Sequence, residues 1–171
     1  SNLPLTKEES AKVIEAAIRK AATNSPRGSR TPAPAHTGEL TQADLEKVTR
    51  LNFNGNHLTD VKGLEKLTQL EELILYKNKL TSVKGLENLT QLKELDLSVN
   101  QLTNVKGLEK LTQLRELHLD DNQLTDVKGL ENLTQLRELW IDSNQLTELP
   151  KGLEKLTQLE SLNLERNQLT S

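Results

Sequence analysis

Leucines and polar residues alternate in a single frame that returns along most of the chain. Leu70 to Gln91 reads LEELILYKNKLTSVKGLENLTQ, and Leu92 to Gln113 reads LKELDLSVNQLTNVKGLEKLTQ. Aligned on one asparagine, copies begin at Val48, Leu70, Leu92, Leu114, Leu136 and Leu159, in steps of 22 residues with one step of 23. Within each copy two leucines sit two residues apart, as in Leu73 and Leu75, Leu95 and Leu97, Leu117 and Leu119, and Leu139 and Ile141. That is the period of a strand with one buried face. The return run, such as Val83 to Leu89, is too short for a full α-helix and predicts extended or 3₁₀ turns.

One copy cannot bury Leu70, Leu73, Leu75, Leu80, Val83, Leu86 and Leu89 on its own, but stacked copies close a continuous core. The asparagines Asn56, Asn78, Asn100, Asn122, Asn144 and Asn167 come after each strand, where a short amide can satisfy backbone groups as the chain leaves the sheet. They predict an internal ladder. Gly63, Gly85, Gly107, Gly129 and Gly152 fall in the return segment, where the chain must turn tightly. The frame L-x-x-L-x-L-x-x-N-x-L over Val48 to Ser171 resembles the leucine-rich repeats. The resemblance implies an α/β solenoid, a right-handed superhelix with a parallel β-sheet on its concave face and extended or 3₁₀ turns on its convex face.

Upstream, Thr6-Lys7-Glu8-Glu9 has the form of a capping box, and Ala11, Ile14, Ile18 and Ala21 continue as an apolar stripe at helical spacing. This predicts an N-terminal α-helical cap; the stripe's small residues argue against a membrane-surface helix. Thr23 to Thr37, TNSPRGSRTPAPAHT, reads as a flexible insert in which Arg27, Arg30 and His36 offer a basic strip or plain solvated chain. Thr41 can cap a second short helix, with Leu40 stapled onto Leu45. The expected division is a cap over residues 1–47, with its insert at 23–37, and six repeats over 48–171 without a C-terminal cap. A helical cap, then ELTQADLEKVTRLNFNGNHLTDVKGLEKLTQL and 22-residue repeats, is similar to the internalin family of bacterial leucine-rich repeat proteins. That resemblance implies a surface or secreted protein that binds other proteins on its concave sheet.

The copies differ where function would be written. The convex phrase VKGLEKLTQ hardly changes, whereas the outward strand positions change every time. After the second leucine come Asn52, Ile74, Asp96, His118, Trp140 and Asn163; two residues on come Asn54, Tyr76, Ser98, Asp120, Asp142 and Glu165; next come Gly55, Lys77, Val99, Asp121, Ser143 and Arg166. Strand alternation sends most of these to the concave face, with neighbouring strands about 5 Å apart. Glu72, Glu94, Glu116 and Glu138 stack into an acidic column there, joined by Asp96, Asp120, Asp121 and Asp142. Lys93, Arg115 and Arg137 form a parallel basic column one position earlier, expected to neutralise part of it.

The candidate ligand-binding residues are therefore Ile74, Tyr76, Glu94, Asp96, Val99, Glu116, His118, Asp120, Asp121, Glu138, Trp140 and Asp142. Trp140, Tyr76, Ile74 and Val99 would be apolar anchors, and the acids would select a protein ligand with a basic surface. The plainer reading is a solvated charge ladder that holds strand register, with Trp140 packed on His118 and Arg137 and His118 an ordinary surface histidine in place of a pH-sensitive contact. Calcium at Asp120, Asp121 and Asp142 lacks the spacing of a calcium loop, and no metal or cofactor is expected.

Composition removes other classes. The chain has no cysteine, so no disulfide or thiolate site, and no apolar run of membrane-spanning length. A formal charge of -3 argues against a nucleic-acid binder, which would show a basic face. There is no phosphate-binding glycine loop, zinc pattern or serine-histidine-acid arrangement, and an open sheet lacks the enclosed pocket of an enzyme. The two Asn-x-Thr sequons at Asn88 and Asn132 arise from the repeat phrase itself. Leu159, Leu162, Leu164 and Leu169 in the last copy lack a further coil to cover them, so either the chain continues or the ends associate. A protein-binding module is the leading reading; a structural spacer between other domains is the alternative.

Overall fold

A computed structural model describes residues 3–23 and 38–170. Helix α1 spans Lys7–Thr23 and α2 Gln42–Glu46; strands β1 Arg50–Asn52, β2 Glu72–Ile74, β3 Glu94–Asp96, β4 Glu116–His118, β5 Glu138–Trp140 and β6 Ser161–Asn163 complete the order. All six pair in parallel and in chain order, so each strand contacts only its neighbours in sequence. Thr23, expected to open the insert, closes α1 instead; the rest of the expected insert, with Arg27, Arg30 and His36, falls in residues 24–37, outside the described residues.

The cap begins as the capping box requires. The Glu9 amide donates to Thr6 Oγ1 at 3.1 Å, and the Thr6 amide donates to Glu9 Oε1 at 3.0 Å. The buried face of α1 is Ser10, Ile14, Ile18 and Ala22, while Ala11 and Ala21, expected in the stripe, are half-buried. The reason is polar: Ser10 Oγ accepts the Thr59 amide at 3.1 Å, tying the helix to the first coil through a bond that alanine cannot make. Thr41 caps α2 in a second reciprocal box, with Asp44 as its partner.

The cap also imitates a coil. A side chain added at Gly63 would meet Ile14 Cγ2 at 3.2 Å, and one added at Gly85 would meet Val61 Cγ2 at the same 3.2 Å. Ile14 thus does for the first coil what Val61 does for the second. Both glycines have φ near +108°, a backbone that L side chains rarely adopt, so close approach and conformation demand glycine together.

Stacking buries the leucines as expected. Leu70, Leu73, Leu75, Leu80, Val83, Leu86 and Leu89 are at most 2% exposed. Burying each such side chain stabilises by about 1.5–3 kcal/mol, a gain available only when coils lie on both sides. The asparagines form the predicted ladder. Asn78 Oδ1 accepts the Leu58 amide at 2.9 Å, and its Nδ2 donates to the carbonyls of Phe53 at 2.9 Å and Leu75 at 3.0 Å. Asn100, Asn122 and Asn144 repeat this pattern. Among the described residues Asn56, at the start, donates only to Asn54, because no preceding coil there offers an amide at that level.

On the convex side, 3₁₀ turns occur at Leu64–Lys66, Leu108–Lys110, Leu130–Asn132 and Leu153–Lys155, while the second coil makes the same passage by hydrogen-bonded turns alone. The single 23-residue step resolves locally. Pro150 is buried and accepts from the Leu153 amide at 3.3 Å, as Val127 accepts from Leu130 at 3.2 Å. Leu149 is therefore the extra residue, extruded and 62% exposed. In the last coil Leu162 and Leu169 are each 39% exposed, against 0% and 1% for their counterparts Leu139 and Leu146. No helix among the described residues is long and apolar enough to cross a membrane.

Candidate functional site

Parallel register lays the outward residues of the strands side by side. Glu72, Glu94, Glu116 and Glu138 form one row across β2 to β5, and Ile74, Asp96, His118 and Trp140 form the next. The rows face the same way because the two members of each strand flank a buried leucine. Chain positions 22 residues apart thereby become neighbours on one open surface.

Its centre is a clamped aromatic pair. The rings of His118 and Trp140 stack with centroids 4.1 Å apart and planes 6° from parallel. Trp140 Nε1 donates to Ser161 Oγ at 3.2 Å, which fixes the indole from the next strand. His118 Nε2 lies 2.7 Å from Glu138 Oε2, and Nδ1 lies 3.8 Å from Asp96 Oδ2. Burial alone would pull the imidazole pKa down, but the contacts and charges of Asp96 and Glu138 outweigh it and raise the pKa to about 9. Asp96 responds in kind: burial opposes its ionisation, yet hydrogen bonding from His118 and Ser98 holds it below the usual value. His118 is accordingly an imidazolium at neutral pH, held on both sides.

The basic column does not neutralise the acidic one. Lys93 pairs with Glu71 at 2.9 Å, to one side of the row, and Arg115 and Arg137 form no ion pair among the described residues. The row's counter-charges are Arg50, 2.6 Å from Glu72, and His118, 2.7 Å from Glu138 and within 4.8 Å of Glu116. Glu94 in the middle has its pKa raised, by burial first and then by the charges of Glu116 and Glu72. Asp142 is raised likewise, by burial and by Asp120.

Other expected members of the surface fall elsewhere. Val99 and Asp121 lie beyond the strands, at the position before the ladder asparagine, with φ of +56° and +53°. The chain leaves the sheet there through a left-handed residue, so alternation no longer aims the side chain. Gly55, with φ +66° at the same place in the first coil, is the sequence's one hint of this. Ser98 is buried, its Oγ 2.5 Å from Asp120 Oδ1. Tyr76 is 36% exposed at the edge of the face. Asp120, Asp121 and Asp142 do not converge as metal ligands; among the described residues the group that does is Glu116, His118 and Glu138, whose ligand atoms lie within 4.8 Å of one another. A cavity of about 150 Å³ opens beside that group, between Ile74 and His118, over Leu95.

The likenesses to known proteins agree with this geometry. The family pattern described as Leucine Rich repeats (2 copies) matches at residues 46–88, 68–110, 90–132, 112–151 and 134–171. Among solved structures, internalin C2 of Listeria monocytogenes is 30% identical with a TM-score of 0.63, over 92% of this chain and 75% of its own. An internalin of the same organism, inlF, is 26% identical with a TM-score of 0.67, over 100% of this chain and 55% of its own. A leucine-rich repeat protein of Leptospira interrogans is 29% identical with a TM-score of 0.63, over 76% of this chain and 40% of its own. The chain thus spans about half the length of inlF and less of the Leptospira protein. No curated protein matches it by sequence.

Proposed function

Since this chain belongs to the leucine-rich repeat family as an internalin-like protein, we propose that it is a non-enzymatic module that binds a protein ligand on its concave sheet. The fold is generally one of protein interaction; the concave location, the residues and a surface or secreted setting in bacteria are our reading. The observation that carries it is the stacked Trp140 and His118 pair standing on an open sheet, beside a row of carboxylates. A tryptophan locked in one orientation presents a large contact area at little entropic cost, which is what a binding hot spot requires. Tyr76 and Ile74 extend the apolar contact toward the N-terminal coils, and Glu94, Glu116, Asp120 and Asp142 favour a basic partner surface.

The test begins with the wild-type chain and the variant Trp140→Ala with Tyr76→Ala, used as bait in bacterial and host-cell extracts. Any protein held by the wild type is then purified and its affinity measured directly against both. Loss of two anchors should weaken binding at least tenfold, on the order of 1.4 kcal/mol or more. Equal affinity, or identical capture profiles, would sink the concave site and favour a spacer whose charges serve solubility.

A further inference from the structure

We propose that Glu116, His118 and Glu138 form a zinc site on the concave face, with His118 binding through Nε2 and a fourth position open to solvent. The site needs no partner protein, so its test is separate from that of the concave-binding reading.

Strand register assembles the three donors. Glu116 and His118 are the outward residues of β4, flanking buried Leu117, and Glu138 stands opposite Glu116 on β5. One ligand atom from each residue lies within 4.8 Å of the other two. Tetrahedral zinc takes nitrogen and oxygen ligands at about 2.0–2.2 Å, which sets those ligands roughly 3.4 Å apart. His118 Nε2 and Glu138 Oε2, at 2.7 Å, need to part slightly and Glu116 to close in, both within reach of side-chain torsions alone.

The imidazole is already held as a metal ligand requires. Asp96 Oδ2 lies 3.8 Å from Nδ1, the nitrogen that does not face Glu138. A carboxylate there keeps a proton on Nδ1 and leaves Nε2 free to bind, an arrangement that accompanies most histidine ligands. Trp140, stacked 4.1 Å away, fixes the plane of the ring. Neither residue is one of the three donors, and both orient Nε2 toward the carboxylates.

Glu116 separates a metal site from a plain ion pair. Without metal, the imidazolium links to Glu138 and Asp96, while the Glu116 side chain forms no hydrogen bond or ion pair among the described residues. Zinc would use all three donors and displace one proton. An imidazole beside two carboxylates also suits zinc better than calcium or magnesium, which call for about six oxygen ligands or more. The space of about 150 Å³ beside Glu116 and His118 admits a water, or a partner's side chain, as the fourth ligand.

The experiment titrates the full chain, freed of metal, with zinc chloride in a mildly alkaline buffer that does not bind metal. Trp140 fluorescence and the imidazole nitrogen shifts of His118 report binding. One equivalent should bind, with the larger shift at Nε2. Glu116→Gln, Glu138→Gln and His118→Gln should each weaken binding at least tenfold, and Asp96→Asn about tenfold, with circular dichroism unchanged. Glu94→Gln and His57→Gln should change it less than threefold. Glu116→Gln is the decisive variant, because it breaks no contact present without the metal. Zinc bound by Glu116→Gln as tightly as by the wild type overturns the proposal, as does zinc that leaves the His118 nitrogens unshifted, or calcium chloride that binds as tightly as zinc. If zinc fails while Trp140→Ala with Tyr76→Ala still abolishes capture of a partner, only the metal site falls. If zinc binds as expected while the capture profiles are identical, the metal site stands and only the partner site falls.

Discussion

Asn100 and Asn56 occupy the same place in the repeat, yet removing each amide should have very different effects. Asn100 Oδ1 accepts the Leu80 amide at 3.0 Å, and its Nδ2 donates to the carbonyls of Leu75 and Leu97 at 3.0 Å each. All three partners belong to residues at most 1% exposed, so water cannot replace the lost side chain. Asn100→Ala leaves a buried amide without a partner, at about 1–3 kcal/mol, and removes two further bonds that contribute about 0.5–1.5 kcal/mol each. The Leu75 and Leu97 carbonyls each keep a second ladder amide, from Asn78 and Asn122 at 3.0 Å, which puts the total at roughly 2–4 kcal/mol. Asn56 makes one exposed bond, to Asn54 at 2.8 Å, and Asn56→Ala should cost about 0.5 kcal/mol. Urea unfolding monitored by circular dichroism reads the difference as a shift in midpoint at constant slope. Asn122→Ala, with the same partners one coil on, should match Asn100→Ala. If Asn100→Ala and Asn56→Ala fall within about 0.5 kcal/mol of each other, the ladder is not what holds the coils together, and leucine packing alone must account for their stacking.

Strain, titration and exposed leucines each give a further expected outcome. Val99→Gly should stabilise the chain by about 0.5–1 kcal/mol, because relief of the left-handed strain at φ +56° exceeds the entropic cost of glycine, and Gly55→Val should destabilise it by about 1–2 kcal/mol; thermal melts of the two should move in opposite directions. His118, with its folded pKa raised from 6.5 to about 9, favours the fold when protonated: this stabilisation is full below pH 6.5 and is lost as pH rises through 9. Fluorescence of Trp140, the chain's one tryptophan, should be quenched by the stacked imidazolium and recover with a midpoint near pH 9, and His118→Gln should abolish the transition. The exposed leucines of the last coil should promote association, so sedimentation velocity should show a concentration-dependent increase in size that Leu162→Lys reduces; a strict monomer at high concentration rejects this.

The fold is legible in the sequence because each side chain that specifies it recurs at one spacing. Leu73, Leu95, Leu117 and Leu139 declare a strand with one buried face, the asparagines mark the exit from that strand, and repetition turns local pattern into global topology. Even the helical cap is marked, by Thr6 and Glu9. Its buried face departs from the apolar stripe at both ends, Ser10 replacing Ala11 and Ala22 replacing Ala21, since that choice depends on Ser10 reaching Thr59 across the chain.

The site is legible only as a set of columns. Sequence places Glu94 beside Glu116 and His118 beside Trp140, because residues one repeat apart must be neighbours in a parallel sheet. It cannot say where a long side chain turns. Lys93 swings to Glu71, Arg50 reaches Glu72, and His118 takes Asp96 and Glu138 together, all through torsions that strand period leaves free. Nor does period 2 announce where the strand stops, so alternation carries Val99 and Asp121 onto the face when they lie instead in left-handed turns. Backbone order in this protein comes from hydrophobic spacing along the chain, while the charge balance of its concave face is decided by rotamers and burial, which only tertiary packing selects.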